Sequence, residues 1–129
     1  MKPVSLKKLG QDELAVLQEM VKVYSDELAT KVKPQLTFQF YEFVLEVDIL
    51  KRLFLTLRGK IEAGKLETSI TLKASEAVVL LYACNYACNT QNMYANVIGI
   101  KVQNFIDQEL KSNIVVQKAP APQPQKLLQ

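Results

Sequence analysis

Residues 82–89 read YACNYACN, one tetrapeptide written twice. If the stretch is helical, its two thiols lie one turn apart on the same face. It is then either a site for a metal or a redox reaction, or a packing pattern, and the flanking sequence has to decide. On a wheel at 100° per residue, Cys84 and Cys88 fall with Ala77, Leu81, Ala95, Val102 and Ile106 on one apolar face. Leu80, Ala83, Ala87, Tyr94, Ile98 and Phe105 widen that face on one side. Across the wheel, Tyr82, Tyr86, Met93, Val97 and Ile100 form a second apolar face, and Asn85, Asn89, Asn92, Asn96 and Gln103 fill a polar band between the two.

Carried outward, the pattern starts at Ser75, an N-cap with Glu76 in the first turn, and persists to about Ser112. It therefore predicts one long helix of roughly 55 Å, with Gly99 as the place for a kink. Two more helices precede it. The first is expected over Gln11–Val32, with Leu14, Leu17, Val21, Tyr24 and Leu28 as a narrow seam, and it stops before Pro34. The second, Leu36–Glu62, is greasier and reads as the central core element. It carries Phe40, Phe43, Val44, Val47, Leu50, Phe54, Leu57 and Ile61 on one face, with Phe38, Tyr41, Leu45 and Ile49 elsewhere. Gly59 and Gly64 read as its breakers.

Next, LETSITLK at residues 66–73 alternates apolar and polar positions as a short strand does. A lone strand needs a partner. The candidates are VSL near the N-terminus, IVV at 114–116, or the same strand of a second copy; the alternative is an extended connector. The fold class expected is mainly all-α: a three-helix bundle with a long C-terminal helix, one short extended or β segment near 66–73 and a Pro-rich C-terminal tail. Residues 1–10 form an N-terminal arm, 11–113 the helical domain and 114–129 the extended tail, which ends in Leu127 and Leu128.

Composition removes most chemistry. A chain of 129 residues makes one ordinary domain. No His occurs, so Ser-His-Asp and Cys-His nucleophile pairs and His-ligated zinc are absent, and no Gly-rich phosphate loop is present. The two thiols have no further soft ligands in the chain and read as buried core residues, with no cofactor and no metal expected. The best carboxylate pair, Glu42 and Glu46, reads as a solvated helix face. Acidic and basic residues are interspersed throughout and give a net charge of +3. The one basic cluster is Lys51, Arg52, Arg58, Lys60 and Lys65, interrupted by Glu62. No membrane insertion is expected, because charges fall inside the second helix and amides inside the third. With two Cys and no secretory leader, the reading is cytoplasmic, or within a particle assembled in the cytoplasm.

From Ala77 to Ile100 there is no charged residue, yet an ordinary wet helix face carries Lys and Glu. That neutral band is expected to meet protein, since polar residues inside helical interfaces set register and partner number. The function expected is a non-enzymatic structural or adaptor protein, possible as a virion component, that self-associates through Asn85, Asn89, Asn92, Asn96 and Gln103. Its tail, through Leu127 and Leu128, would dock on a partner protein in a larger assembly. The alternative is a small nucleic-acid-binding regulator using Lys51, Arg52, Arg58, Lys60 and Lys65. Replacing Cys84 and Cys88 together by Ala is expected to leave the fold intact; stoichiometric zinc or iron in protein purified without added metal would overturn the packing role of the thiols.

Overall fold

The computed structural model describes residues 2–31, 38–87 and 93–118, with side chains through 113. The order of elements is β1 (Val4–Gly10), α1 (Gln11–Lys31), α2 (Phe38–Ala63), β2 (Glu67–Leu72), α3 (Ala74–Ala87) and α4 (Met93–Lys118). The protein is mainly helical, with four helices among the described residues rather than three. The two strands form one antiparallel sheet.

The N-terminal segment is therefore a strand and not an arm. Val4 pairs with Leu72, Ser5 with Thr71 and Leu6 with Ile70. A bulge then shifts the register, and pairing resumes at Leu9 with Thr68 and Gly10 with Glu67. Strict alternation would send Leu6 and Leu9 to opposite faces. The bulge, with Lys8 at φ +59°, inserts the extra residue that lets both be buried while Lys7 and Lys8 stay exposed. VSL is thus the partner of the 66–73 strand. The other intrachain candidate, IVV at 114–116, lies inside α4.

Helix α1 starts where Gly10 N–H donates to Glu13 Oε1 at 3.2 Å, the acidic half of a capping box. Helix α2 runs through Gly59 and ends at Ala63, so Gly64 alone stops it. The Gly64 N–H donates to the Ile61 carbonyl at 3.1 Å, and its φ of +69° suits a residue without Cβ. Helix α3 begins two residues earlier than expected. Lys73 is its N-cap, its N–H donating to Glu76 Oε1 at 2.8 Å, and Ser75 sits in the first turn.

The long third helix is two helices. Helix α3 has 14 residues and α4 has 26. They pack on each other as a hairpin, α4 returning until Asn113 reaches the Lys2 carbonyl, beside the strand end whose partner Leu72 leads into α3. Between them lies Cys88-Asn89-Thr90-Gln91-Asn92, which is outside the described residues and rich in weak helix formers. Helix α4 runs through Gly99 and on to Lys118, two residues before Pro120, so 114–118 are helical rather than part of an extended tail.

Helix α1 is the hub, packed against α2, α3, α4 and β1. It buries Leu14, Leu17, Met20, Val21 and Leu28, so four of its five seam residues are buried and Tyr24 is half-buried. Helix α2 is less central than expected. Only Leu50, Leu53 and Leu57 are buried, Phe43, Val47, Phe54 and Ile61 are partly so, and Val44 is exposed. Its first half, Phe38, Tyr41 and Leu45 included, carries large side chains into solvent because it extends past the end of α3. No polar or charged side chain is buried among the described residues. Leu50→Ala should cost about 2–5 kcal/mol in urea unfolding, and half-buried Phe54→Ala should cost less than that. Leu45→Ala should stay within about 0.5 kcal/mol.

Candidate functional site

Helix α4 changes character halfway along its outward side. Residues 93, 97, 100, 104, 107 and 111 follow one another at spacings of four and three, the centre of the face turned from the core. The first three are Met93, Val97 and Ile100, with relative exposures of 78%, 62% and 50%. The next three are Asn104, Asp107 and Lys111, and Lys111 Nζ pairs with Asp107 Oδ2 at 3.0 Å. The inward side is apolar throughout, with Ile98, Val102 and Ile106 buried. An outward face that is apolar for two turns and polar for the next three is not the pattern of a helix that merely meets water.

The flanks of this stripe are neutral. Tyr94 is half-exposed on one side, and Asn96 and Gln103 are half-buried on the other. The nearest charge, Lys101, is engaged within the chain, its Nζ 3.2 Å from Glu13 Oε2 on α1. Asn96 and Gln103, seven residues apart, do share a side of α4, whereas Asn85 is exposed on α3. Because the helix is broken, the asparagines do not form one continuous band. Asn89, Asn92, Leu127 and Leu128 lie outside the described residues. Sequence reasoning placed Met93, Val97 and Ile100 on a second apolar face but put the interface on the amides beside it.

A second cluster sits where α1, α2 and α3 meet. Tyr24 donates its hydroxyl hydrogen to Glu46 Oε2 at 3.3 Å, its ring lies 5.6 Å from that of Tyr86, and Tyr82 and Asn85 complete a shallow recess. Burial, then the Glu46 carboxylate, pushes the Tyr24 phenol up to about 12. Glu42, the other member of the expected carboxylate pair, is exposed. Glu46 therefore helps to hold Tyr24 between helices.

The basic cluster does not assemble. Arg52 pairs with Asp48 at 3.1 Å and Arg58 with Glu62 at 3.0 Å, each one turn away on α2. Lys51 and Arg58 share one side of that helix and Lys60 lies on the opposite side. Lys65, beyond the helix, has its carbonyl held by Gln11 Nε2 at 2.7 Å. Cys84 is fully buried, as a core thiol should be, and Cys88 is outside the described residues. Among the described residues, no three His, Cys, Asp or Glu side chains converge on a point that could hold a metal, and no helix is long and apolar enough to cross a membrane.

No protein-family model, curated protein or solved structure matches the chain. Function has to be argued from these surfaces alone.

Between pH 10 and 12, unfolded chains ionise Tyr24 while the folded protein keeps it neutral. That difference stabilises the fold fully below pH 10 and is lost as pH rises toward 12. Tyr24→Phe should accordingly flatten the alkaline decline in stability. The ultraviolet absorbance difference between the parent and Tyr24→Phe should show the Tyr24 phenol ionising well above pH 10; ionisation of Tyr24 near pH 10 would contradict its burial against Glu46.

Proposed function

We propose that this is a non-enzymatic structural or adaptor protein that works as a homo-oligomer, with the first half of α4 as its self-association face, and that it docks on a larger assembly. The observation that supports this is the Met93, Val97, Ile100 stripe, exposed at the centre of an outward face and unaccompanied by any charge from Ala77 to Ile100.

A second copy is the occupant this face suits best. With Tyr94, the stripe presents on the order of 400–500 Å² of largely apolar surface, more than half of the ~800 Å² per partner in a standard interface. The 4-3-4 spacing from Met93 to Asn104 is that of a short helix-pairing seam. Asn104 ends the apolar run at the next seam position. Its amide both donates and accepts, so it pairs with its own copy across a two-fold axis as no Lys or Glu would. The charges nearest the seam, Lys101 and the Asp107–Lys111 pair, are already satisfied within the chain. A neutral, self-complementary face needs no oppositely charged partner. Asn96 and Gln103 flank the seam and belong to the same proposed interface.

The nucleic-acid reading gains nothing here, since two of its five cations are neutralised on their own helix.

Val97→Lys with Ile100→Lys is the test. If the face meets water, the pair of changes is nearly free, within about 0.5 kcal/mol each. If it meets another copy, two buried unpaired charges abolish assembly, and light scattering should show an oligomer for the parent and a monomer for the variant at equal helix content. Asn104→Leu should hold the copies together more strongly while blurring their number. A parent that scatters as a monomer at every concentration sinks the proposal.

A further inference from the structure

An open recess of about 710 Å³ lies between β1 and residues 101–109 in the middle of α4, and it borders the seam at Asn104. It is lined from β1 by Ser5 and Lys7, which point away from the core, and also by Leu6 and Leu9, which point into it. Side chains of both faces of one strand line a single recess only where that recess runs along the strand's edge. Val102 and Phe105 of α4 form the opposite wall.

That edge is the side of β1 not paired with β2. Among the described residues, the backbone hydrogen bonds outside the helices and the β1–β2 ladder are those of Gly64 and Ala77, so no backbone group reaches the outer edge of β1. One side chain reaches this end of the chain: Asn113 Nδ2 donates to the Lys2 carbonyl at 3.4 Å. The edge thus faces α4 with its polar backbone groups open, and an edge in that condition is a template for another strand.

We propose that this groove takes a short extended peptide segment of a partner protein as a third strand beside β1, with its inward side chains laid over Phe105 where the core residues Leu6, Leu9 and Val102 reach the floor of the groove. Size excludes a folded partner: the volume lies within the ~300–1,000 Å³ of clefts that hold small ligands. A second copy of this sheet is also excluded, because each copy would bring its own α4 along the same edge. The bulge at Lys7 and Lys8 limits pairing to the stretch before it, so the edge accepts a few residues and resists open-ended stacking of strands. Such recognition takes affinity from the main chain and specificity from alternate side chains.

Charge gives the segment a direction. Helix α4 runs antiparallel to β1, from Lys101 beside Gly10 and Glu13 to Asn113 beside Lys2. Lys7 therefore lies toward one end of the groove and Glu109 toward the other, and neither takes part in an ion pair among the described residues. A segment with an acidic residue at the Lys7 end and a basic residue at the Glu109 end complements both. This surface supplies the docking half of the adaptor reading; it borders the α4 seam at Asn104 but is built from β1 and residues 101–109, so the two surfaces are tested separately.

The probes are two fluorescein-labelled peptides of alternating valine and threonine, one with glutamate first and lysine last, the other reversed. Anisotropy with the full chain should show one order binding at least tenfold more tightly than the other, and Lys7→Glu with Glu109→Lys should reverse that preference. N-methylation of alternate amides on the edge-facing side should weaken binding at least tenfold. Binding should be unchanged in the Val97→Lys, Ile100→Lys chain, which separates this result from the fate of the α4 seam. No binding of either order, an order preference that survives the charge exchange, or full binding by the N-methylated peptide overturns the inference. Peptide binding at least tenfold tighter in a chain carrying Leu127→Asp and Leu128→Asp would name the chain's own tail as occupant and would also overturn it.

Discussion

The pairing of β1 with β2 is the constraint on which the rest of the structure depends. Val4 and Leu72 are partners across most of the described chain. Bringing them together closes a loop that contains all of α1 and α2, at an entropic cost that grows only slowly with loop length. A two-stranded sheet is marginal by itself. This one persists because its inward side chains, Val4, Leu6, Leu9, Ile70 and Leu72, join the same core as the helices. The pairing fixes where α1 leaves the sheet at Gly10 and where α3 leaves it after Leu72. With both starting from one small sheet, α1 and α3 lie against each other and α2 folds back over them.

The same pairing determines which surfaces remain open. With β2 on one edge of β1, the α3–α4 hairpin brings the middle of α4, residues 101–109, along the other edge without contributing a strand, which leaves a groove instead of a closed layer. The first half of α4 then lies beyond the sheet. Its inward residues Ile98 and Val102 reach the core, and its outward residues face away from every other element. One helix therefore carries two surfaces of different kinds, an apolar stripe along its first turns and a groove wall along its later ones.

Much of the fold was legible in the sequence because its signals are local. The α1 seam was readable from the spacing of Leu14, Leu17, Val21 and Leu28, while the stop expected before Pro34 lies outside the described residues. The 66–73 strand was readable from its alternation, and VSL was among its expected partners. What failed was reach. A wheel drawn through residues 75–112 assumes an unbroken helix, and the pattern on either side of Asn89-Thr90-Gln91-Asn92 happened to stay in phase. Four consecutive residues with weak or middling helix preference were the available signal. The burial of α2 was overestimated for a related reason. Hydrophobic periodicity marks the face that would be buried if a neighbour were present, and beyond the end of α3 the described residues supply none on that side, so Phe38, Tyr41 and Val44 are exposed. The groove was beyond sequence reasoning, since it arises from two segments about a hundred residues apart and from a bulge that nothing in KK announces.

The doubled tetrapeptide shows how much a repeated sequence depends on the fold around it. In the first copy, Ala83 and Cys84 are buried and Asn85 is exposed, each placed by one helix. In the second, Tyr86 lies against Tyr24 and Ala87 is the last residue of α3, so the helix that gives the first copy its geometry ends inside the second. The two copies therefore differ at their tyrosines, Tyr86 lying against Tyr24 and Tyr82 in the recess beside it, while Cys88 and Asn89 lie outside the described residues. The asparagines follow the same logic. Asn85 on α3 and Asn96 on α4 belong to separate helices, and what they share is a neutral stretch of sequence in which no charge opposes burial. The proposed self-association rests on that neutrality and not on the repeat. The neutrality permits a face of α4 to be apolar at its centre, with the nearest charge, Lys101, drawn toward Glu13 on α1.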